Sequence, residues 1–494
     1  MNFHSTRDTN KTKYTAAQVI IKGLADDGGL FVPESIPTLS LSEIGSFCDL
    51  DYPTLAATIL SKLLTDYTYG ELLEDCNGAY SLASFPDGAC PLVRVDGNTY
   101  SLELWHGPTC AFKDMALQLM PRLLSRALTK EGESRTALIL VATSGDTGKA
   151  ALEGYKNIDQ IKISVFYPKN GVSTIQQLQM ATQEGENVNV CAVNGNFDDI
   201  QSEVKNIFSS SDISSKLEEM GYFLSSANSI NFGRLAPQIV YYFKSYCDLL
   251  KNREITLGDK INVCVPTGNF GNILAAYVAK LMGLPIATLI CASNSNNILT
   301  DFLNTGRYDR NREFHLTISP SMDILISSNL ERLLYFISGA DATATWMKSL
   351  NQNGYYQVDE NTLTEISKSF CGYCADETQT KQTIGKYFHD YNYLIDTHTA
   401  VAFSALDQYR GKTGDNTPCV VASTANPYKF AKDVYNALTG IDSSEGFDSL
   451  PALSNETLVP IPDPLSKLRD KKTIFTSVCD KNTMADEIFE FLKK

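Results

Sequence analysis

One lysine, Lys113, lies where a tight turn meets an apolar segment, and this position suits an amine nucleophile. Gly107 and Pro108 restrict the backbone before it, and residues 115–120 have the composition of a mostly buried helix. Burial disfavours the ammonium form and lowers the pKa of a lysine, and the neutral amine forms a Schiff base with an aldehyde. Because lysines are seldom buried, position alone favours an exposed residue on an amphipathic helix. Other segments must decide between the two interpretations.

Two polar turns each join an apolar strand-like run to a helix-like run. Residues 143–148 follow the run 136–142, and residues 267–272 follow the run 263–266. A helix N-terminus offers backbone N–H groups and a dipole that favour a phosphate or a carboxylate. Neither turn has the glycine spacing of a P-loop or of a dinucleotide fingerprint, which disfavours ATP and NAD as ligands. Each turn taken alone is equally compatible with an ordinary capped turn between strand and helix.

Two further segments carry polar groups at predicted element boundaries. Residues 225–234 combine hydroxyls and amides with Arg234, whose guanidinium can bind a phosphate or a carboxylate in a bidentate way. A capped helix start explains that composition equally well. Residues 423–427 follow a buried strand-like run, at the sheet edge where α/β proteins bind ligands. A hydroxyl there could form a hydrogen bond with a ring nitrogen.

The elements that must position these groups follow an alternating pattern. Residues 1–90 contain apolar periodic segments broken by Gly and Pro, which predicts a helical N-terminal subdomain. From about residue 91, short β-rich runs are each followed by a helical pattern, and helices dominate between about 315 and 410. The alternation predicts an α/β fold with a mostly parallel sheet. The clearest strands are predicted at 136–142, 161–167, 261–265 and 419–422.

Composition narrows the class of protein. The chain of 494 residues carries a net charge of −15 and shows no cluster of Lys and Arg, which argues against nucleic acid or a membrane surface as a partner. No run reaches the length of a signal peptide or a membrane helix, so a cytoplasmic location is expected. The twelve cysteines are scattered, often in apolar surroundings, and predict free thiols.

Other kinds of catalytic site find little support. The pair Cys371 and Cys374 has C-x-x-C spacing, but it lacks a second pair and a nearby histidine that would complete a zinc site. The five histidines show no metal-ligand spacing, and no G-x-S-x-G elbow occurs. We expect no metal ion and no serine-hydrolase chemistry.

Several motifs in order along nearly the whole chain resemble the threonine synthase family, in its longer-chain branch. They are Gly23-Leu24-Ala25-Asp26-Asp27-Gly28-Gly29-Leu30, His106-Gly107-Pro108-Thr109 with Phe112-Lys113-Asp114, Thr143-Ser144-Gly145-Asp146-Thr147-Gly148, Pro266-Thr267-Gly268-Asn269-Phe270-Gly271-Asn272, Ser319-Pro320-Ser321-Met322-Asp323 and Asp396-Thr397-His398-Thr399-Ala400. The resemblance implies the tryptophan-synthase-β-like fold, fold type II of the enzymes that depend on pyridoxal 5′-phosphate, with helices on both faces of the sheets.

The resemblance also implies a role for each segment. Lys113 would carry the cofactor covalently, and Thr424 would meet its pyridine nitrogen. The cofactor phosphate would lie against Gly268, Asn269, Phe270, Gly271 and Asn272. The substrate carboxylate would bind at Ser144, Gly145, Asp146 and Thr147, and the substrate phosphate at Asn228, Ser229, Asn231 and Arg234.

The implied reaction converts O-phospho-L-homoserine and water into L-threonine and phosphate. Two alternatives stay open: a related phospholyase that releases 2-oxobutyrate, and a non-catalytic binding protein that keeps the fold. We expect a monomer or a homodimer, and a smaller α/β domain at about residues 120–225 within a catalytic region 91–494.

The chain departs from the family pattern at three positions. Asn426 stands where a histidine is usual, Lys149 where a small residue is common, and Trp105 where a phenylalanine is usual. None of the three replaces a residue assigned to the cofactor or the substrate.

Overall fold

The strands form two larger sheets and two small ribbons in the computed structural model, which describes residues 1–143, 145–442 and 446–493. In chain order they are β1 (Phe3–Ser5), β2 (Phe31–Pro33), β3 (Leu92–Asp96), β4 (Thr99–Glu103), β5 (Thr136–Ala142), β6 (Ile161–Pro168), β7 (Val188–Asn194), β8 (Tyr222–Ser225), β9 (Ile261–Pro266), β10 (Ile286–Ser293), β11 (Arg307–Asp309), β12 (Tyr355–Gln357), β13 (Phe370–Cys374), β14 (Cys419–Ser423) and β15 (Val478–Asp480). The strands predicted at 136–142, 161–167, 261–265 and 419–422 are all present.

Helices connect the strands. They are α1 (Ala16–Lys22), α2 (Leu41–Ser46), α3 (Tyr52–Leu60), α4 (Tyr69–Ala79), α5 (Asp114–Leu117), α6 (Met120–Glu131), α7 (Asp146–Tyr155), α8 (Thr174–Ala181), α9 (Phe197–Ser209), α10 (Ser211–Glu219), α11 (Phe232–Lys251), α12 (Gly271–Leu281), α13 (Ile298–Thr305), α14 (Leu330–Asn353), α15 (Glu360–Ser367), α16 (Glu377–Tyr391), α17 (Thr397–Thr413), α18 (Ala431–Thr439), α19 (Ser449–Thr457), α20 (Asp463–Ser466) and α21 (Met484–Leu492). Single 3₁₀ turns lie at Phe47–Asp49, Pro320–Met322, Pro427–Phe430, Lys467–Asp470 and Lys481–Thr483.

Both larger sheets are mostly parallel. The six-stranded sheet has the order β13-β10-β9-β14-β4-β3, and only its edge pair β3–β4 is antiparallel. The five-stranded sheet has the order β15-β7-β6-β5-β8 and is parallel throughout. The two ribbons, β1–β2 and β11–β12, are antiparallel. The predicted α/β fold is therefore confirmed.

Helices cover both faces of the five-stranded sheet, which explains why its strands are apolar without alternation. Ile139 of β5 belongs to the main core together with Leu152 of α7. Leu138, on the other face, belongs to a second cluster together with Ile200 and Val204 of α9. A parallel strand buried on both faces gains from apolar residues at every position.

The N-terminal helices share the main core with the rest of the chain. Leu55 and Leu60 of α3 lie in the same buried cluster as Ile239 of α11, and α3 packs directly against α11. Strand β1 precedes α1 and strand β2 follows it, and the two strands pair as an antiparallel ribbon. Helices α1 to α4 supply most of the regular secondary structure of residues 1–90, and their packing is continuous with the six-stranded sheet.

The helix predicted at 115–120 is interrupted. It forms one turn, α5, and a second helix, α6, starts at Met120. Pro121 explains the break, because its ring would clash with the carbonyl of Leu117 in a continuous helix. α7 passes close to that carbonyl, and a Cβ on Gly154 would lie 1.8 Å from the Leu117 oxygen. Lys113 consequently occupies the N-terminal end of a short, tightly packed turn.

No helix within the three described ranges combines the length and the apolar character that crossing a membrane requires.

Candidate active site

The loop before Lys113 is fixed by its own side chains. The Asp114 carboxylate accepts hydrogen bonds from the Thr109 backbone N–H at 2.8 Å and from the Thr109 hydroxyl at 2.7 Å. Gly107 permits this approach, since a Cβ there would lie 2.6 Å from the Asp114 side chain. The Phe112 N–H donates to the Thr424 carbonyl at 2.8 Å. These contacts place Lys113 beside the segment that follows β14.

Lys113 is buried, with only 8% of its surface exposed. Its Nζ donates to the Ser321 hydroxyl at 3.2 Å and lies 3.8 Å from the Asp146 carboxylate. Burial lowers the pKa of Lys113 to about 8, with Asp146 opposing the shift and the cations Arg234 and Lys429 adding to it. A substantial fraction of the amine is therefore neutral near physiological pH, as nucleophilic chemistry requires.

Asp146 begins α7 and is held by a second lysine. Lys429 Nζ lies 2.8 Å from one carboxylate oxygen, and Gln176 donates to the same oxygen at 2.9 Å. Burial would raise the pKa of Asp146, but Lys429 and Lys113 outweigh it and hold the pKa below its usual value. The Asp146 side chain is thus an anion already neutralised by the protein. At Asp146, the backbone N–H rather than the side chain suits a substrate carboxylate.

Gly145 and Thr147 lie on either side of Asp146 at the start of α7. Gly145 has φ 141°, and a Cβ there would lie 2.4 Å from the Gln176 carboxamide, so the turn needs glycine. Gly145 offers no side chain to cap α7. Thr147 lies half-buried in the first turn of the helix. Ser144 is outside the described residues.

The second glycine turn forms the start of α12. Phe270 has φ 64°, a left-handed backbone, and its side chain makes no capping hydrogen bond. Ser327 donates to the Gly268 carbonyl at 2.6 Å, and the Asn329 N–H donates to the Asn269 carbonyl at 3.1 Å. With these carbonyl oxygens engaged, the turn presents an uncapped helix N-terminus, which favours an anion.

Asn272 supplies a side-chain donor at the same place. Tyr241 and Tyr242 donate to its carbonyl oxygen at 2.6 and 2.5 Å, which fixes the orientation of the amide. Its buried NH₂ group has no hydrogen-bond partner among the described residues. An unpaired buried donor is costly. A bound oxyanion at the α12 N-terminus would satisfy it.

Residues 225–234 contribute a buried cation. Arg234 is 6% exposed and donates to the Ala227 carbonyl at 2.8 Å. Burial lowers its pKa to about 10, and across the described chain no carboxylate pairs with it. Ser229 lies next to the α12 turn, because a Cβ on Gly271 would be 3.8 Å from its side chain. Arg234 and Ser229 are therefore available to a phosphate.

Two other residues of this segment are placed differently. The Asn231 side chain donates to the Ile20 carbonyl at 2.9 Å and accepts from the Gly233 N–H at 2.9 Å, so it caps α11. The Asn228 backbone N–H donates to the Ser226 hydroxyl at 3.2 Å. This bond does not involve the Asn228 side chain, which is half-buried. A substrate role for Asn231 would have to compete with the capping of α11.

Arg332 connects residues 225–234 to the turn at residues 267–272 by way of Asn329. It is fully buried and donates to the Phe31 carbonyl at 2.9 Å, to the Ile230 carbonyl at 2.6 Å and to the Asn329 side chain. Sequence reasoning missed this residue. A lone arginine inside an apolar helical pattern carries no signal for such a role.

Thr424 and Asn426 follow β14. Thr424 is 6% exposed, and its backbone N–H lies 3.3 Å from the Thr399 hydroxyl. Asn426, one of the departures from the family pattern, accepts from the Tyr428 N–H at 3.0 Å and so caps the turn that carries Lys429. Lys149, the second departure, pairs with Glu153 at 3.1 Å and with Gln183. Both departures have structural partners.

Sequence reasoning also missed four residues around Lys113: Ser321, which contacts its amine; Asp396 and His398, which are linked to it through Ser321; and Lys429, which lowers its pKa. The first three stand in quoted motifs, where Ser-Pro-Ser and Asp-x-His could have drawn attention as polar groups at the start of a turn and of a helix. Lys429 had no such signal. Within the described ranges, no group of three His, Cys, Asp or Glu side chains could hold a metal ion.

The donor set fits a phosphorylated aldehyde. Ser321 lies between the two key features, since its hydroxyl meets Lys113 and its carbonyl would be 2.7 Å from a Cβ on Gly268. An amine of lowered pKa and an uncapped helix start with a spare amide donor therefore converge on one place. This is the combination that a cofactor with an aldehyde and a phosphate needs.

Comparison with known families agrees with this geometry. Three family models match successive parts of the chain: "Threonine synthase N terminus" over residues 2–80, "Pyridoxal-phosphate dependent enzyme" over residues 87–424, and "Threonine synthase, C-terminal" over residues 399–487.

Individual proteins give the same result. The chain is 37% identical to human threonine synthase-like 1, covering 97% of this chain but only 66% of the human protein. It is 40% identical to the threonine synthase of Pseudomonas aeruginosa, covering 85% of this chain and 87% of the relative. The crystal structure of PLP-bound threonine synthase from Brucella melitensis matches with a TM-score of 0.87 and 35% identity over 99% of both chains. The chain therefore belongs to the threonine synthase family of pyridoxal-phosphate-dependent enzymes.

Proposed function

We propose that this protein converts O-phospho-L-homoserine and water into L-threonine and phosphate, the last step of threonine biosynthesis. The observation that carries the proposal is the convergence on Lys113 of two separate groups suited to phosphate. One is the α12 N-terminus with the Asn272 NH₂ group, which has no hydrogen-bond partner among the described residues. The other is the buried Arg234 guanidinium, which pairs with no carboxylate in the described part of the chain. A phosphorylated cofactor and a phosphorylated substrate would need one each.

The cofactor would be held by residues of three elements. Lys113 would bind its aldehyde, and Gly268, Asn269, Phe270, Gly271 and Asn272 would bind its phosphate. Thr424 would meet the pyridine nitrogen with a neutral hydroxyl, which leaves the ring less protonated than a carboxylate would. When bound, pyridoxal phosphate supplies an aldehyde that links to amines and a ring that stabilises negative charge developing on the substrate.

The protein's own groups would handle the substrate. The α7 N-terminus would hold the carboxylate through backbone N–H groups, with Gly145 keeping the turn open. Arg234 and Ser229, with Asn228, would hold the phosphate and stabilise its charge as it departs. The Lys113 amine, once displaced by the substrate amine, would move protons at Cα and Cβ, a task that its lowered pKa suits.

Product identification tests the proposal. Purified protein loaded with pyridoxal phosphate is incubated with O-phospho-L-homoserine, and the products are separated by chromatography and identified by mass. We expect equal amounts of L-threonine and phosphate. Release of 2-oxobutyrate without threonine would identify a phospholyase. Absence of any reaction, together with no visible absorption band from the cofactor, would favour a binding protein that keeps the fold.

We also propose a cytoplasmic location and a monomer or homodimer. The net charge of −15 and the many buried free thiols support a reducing compartment away from anionic surfaces. Cell fractionation and gel filtration at several protein concentrations would test these two points. Recovery of the protein with membranes would contradict the location, and elution as a tetramer would contradict the oligomeric state.

A further inference from the structure

Asp396 and His398 form a buried pair at the start of α17. His398 Nδ1 lies 2.9 Å from the Asp396 carboxylate, which also accepts the His398 backbone N–H at 2.8 Å. Asp396 is fully buried and His398 is 3% exposed. Because a carboxylate accepts hydrogen bonds, Nδ1 carries the proton and Nε2 keeps a lone pair.

That lone pair holds a backbone group of the active site. The Ser321 N–H donates to His398 Nε2 at 3.1 Å. Ser321 in turn offers its hydroxyl to Lys113 at 3.2 Å, and its carbonyl lies against Gly268. We propose that Asp396 and His398 are positioning residues, which orient Ser321 so that its hydroxyl sets the direction of the Lys113 amine.

The arrangement differs from that of a serine hydrolase. In a hydrolase triad the histidine Nε2 bonds the serine hydroxyl and takes its proton. Here Nε2 bonds the backbone N–H of Ser321, so the hydroxyl is not activated and stays available to Lys113. The pair therefore supports an amine nucleophile through the turn Pro320–Met322.

The same carboxylate is also linked to the backbone just before Lys113. Its second oxygen accepts from the Thr399 N–H at 3.2 Å and from the Thr399 hydroxyl, which lies 3.3 Å from the Thr424 N–H. The Thr424 carbonyl accepts the Phe112 N–H immediately before the lysine. Asp396 is thus linked to Lys113 in two ways. One link passes through Ser321, which contacts the Lys113 amine, and the other passes through Thr424 to the backbone before the lysine. A pair that served only core packing would not need both links.

The inference rests on the proposed cofactor chemistry but not on the identity of the substrate. The test measures how fast Lys113 bonds to pyridoxal phosphate when the full chain, freed of cofactor, is mixed with it. The bond is followed by its visible absorption and confirmed by borohydride reduction and peptide mass. Affinity for pyridoxamine phosphate, which lacks the aldehyde, is measured in parallel. This second measurement reports binding of the ring and the phosphate without the covalent bond.

Four variants carry the comparison: His398→Leu, His398→Gln, Ser321→Ala and the double variant His398→Leu/Ser321→Ala. We expect His398→Leu and Ser321→Ala each to slow bond formation by about tenfold, the effect of losing one well-placed hydrogen bond. The double variant should be no slower than the worse single variant, because both act through the same contact. His398→Gln should recover most of the rate, since its amide oxygen can accept the Ser321 N–H. Pyridoxamine phosphate affinity should change by less than about threefold in all four.

An exposed histidine outside the described contacts of Lys113 and Ser321 provides the matched control. His389→Leu, on the exposed side of α16, should react at the rate of the unaltered chain. Independent, multiplying effects of the two single variants would overturn the proposal, as would an unchanged rate in Ser321→Ala. If His398→Leu fails to fold, as judged by circular dichroism, Ser321→Ala and His398→Gln decide it alone: a normal rate in the first or a tenfold loss in the second overturns it. These rates are measured without the substrate, so they do not depend on whether the protein forms threonine. The result can therefore contradict one proposal without contradicting the other.

Discussion

The charged form of Lys113 is stabilised mainly by the Asp146 carboxylate at 3.8 Å, and it is destabilised by burial and by two neighbouring cations. The cations are Arg234 and Lys429, while the buried Asp114 acts in the same direction as Asp146. Burial also raises the pKa of Asp114 to about 7, against its two hydrogen bonds from Thr109, so that carboxylate is a weaker counter-charge. The balance leaves Lys113 as a reactive amine.

The pH dependence of Lys113 labelling measures this balance. With its pKa lowered to about 8, about a tenth of Lys113 is neutral at pH 7, against roughly one in three thousand for an unperturbed lysine. In the cofactor-free chain we expect acetylation of Lys113, followed by peptide mass, to rise with pH and level off above about pH 9. A short unstructured peptide that contains one lysine serves as the reference, and its acetylation should keep rising beyond about pH 10. A Lys113 profile that coincides with that of the reference peptide would contradict the assignment.

Substitution of Lys113 tests its chemical role. We expect Lys113→Ala to lose the visible band of the cofactor and to reduce threonine formation on the order of a thousandfold or more, because the amine both links the cofactor and moves protons. Far-UV circular dichroism should be unchanged, since the backbone contacts of Thr109 and Phe112 remain. Lys368→Ala serves as the control. A variant that retains the band would show that another group binds the aldehyde.

At the scale of elements, the site depends on a helix start that packs against a turn. Gly268 lies so close to Pro320–Met322 that a Cβ would be 2.7 Å from the Ser321 carbonyl and 3.2 Å from the Met322 Cα. Overpacking of this kind costs about 1–3 kcal/mol, so we expect Gly268→Ala to weaken pyridoxal phosphate binding by roughly tenfold or more. Gly97→Ala, where no atom lies within 4 Å of the added Cβ, should bind normally. Absorbance titration compares the two, and equal affinities would refute the close approach.

The packing of α7 against α5 gives a second test at this scale. The Gly154→Ala Cβ would meet the Leu117 carbonyl, and we expect a loss of about 1–3 kcal/mol in the free energy of unfolding. Gly411→Ala lies in α17 with nothing within 4 Å, and it should gain up to about 1 kcal/mol from helix propensity. Denaturant unfolding measures both. The same substitution in two helices should thus have opposite signs, and a gain for Gly154→Ala would show that the helices are further apart.

At the scale of the whole molecule, Lys429 connects the C-terminal part of the chain to the part built on the five-stranded sheet. It follows β14 of the six-stranded sheet and bonds the Thr109 carbonyl at 2.9 Å, the Gln179 amide at 3.0 Å and Asp146 at 2.8 Å. The buried Lys429 ammonium therefore links the loop before Lys113, α8 and the start of α7. The proposed smaller domain at 120–225 would meet the remainder of the catalytic region here.

Removal of Lys429 should affect both stability and the reactive lysine. Lys429→Met removes the cation that lies closest to the buried negative charge of Asp146. We therefore expect a loss of about 3 kcal/mol in the free energy of unfolding. The labelling profile of Lys113 should move to higher pH, because Lys429 lowers the pKa of Lys113. The double variant Lys429→Met/Asp146→Asn should regain much of the stability. A single variant as stable as the unaltered chain, with an unchanged profile, would contradict this role.

Local patterns were sufficient for most elements. The strand at 136–142 and the turn after it follow from an apolar run, glycine spacing and polar caps, all within a few residues. The helix after Lys113 was mispredicted because the effect of Pro121 on the preceding turn was not considered. Lys113, the two glycine turns, Arg234 and Thr424 were found from residue types and motif order, and their individual roles stay predictions.

The amino-acid sequence by itself determined the fold class, the family and the segments that carry polar groups, because periodicity and motif spacing are properties of neighbouring residues. Only the tertiary structure decided which groups are free to act. It paired the Asp146 carboxylate with Lys429 and engaged Asn231 in capping α11. It also left the Asn272 NH₂ group without a partner among the described residues, and it brought Ser321 to Lys113 and His398 to Ser321. Burial and pairing arise between residues tens to hundreds of positions apart, and no local pattern encodes those distances.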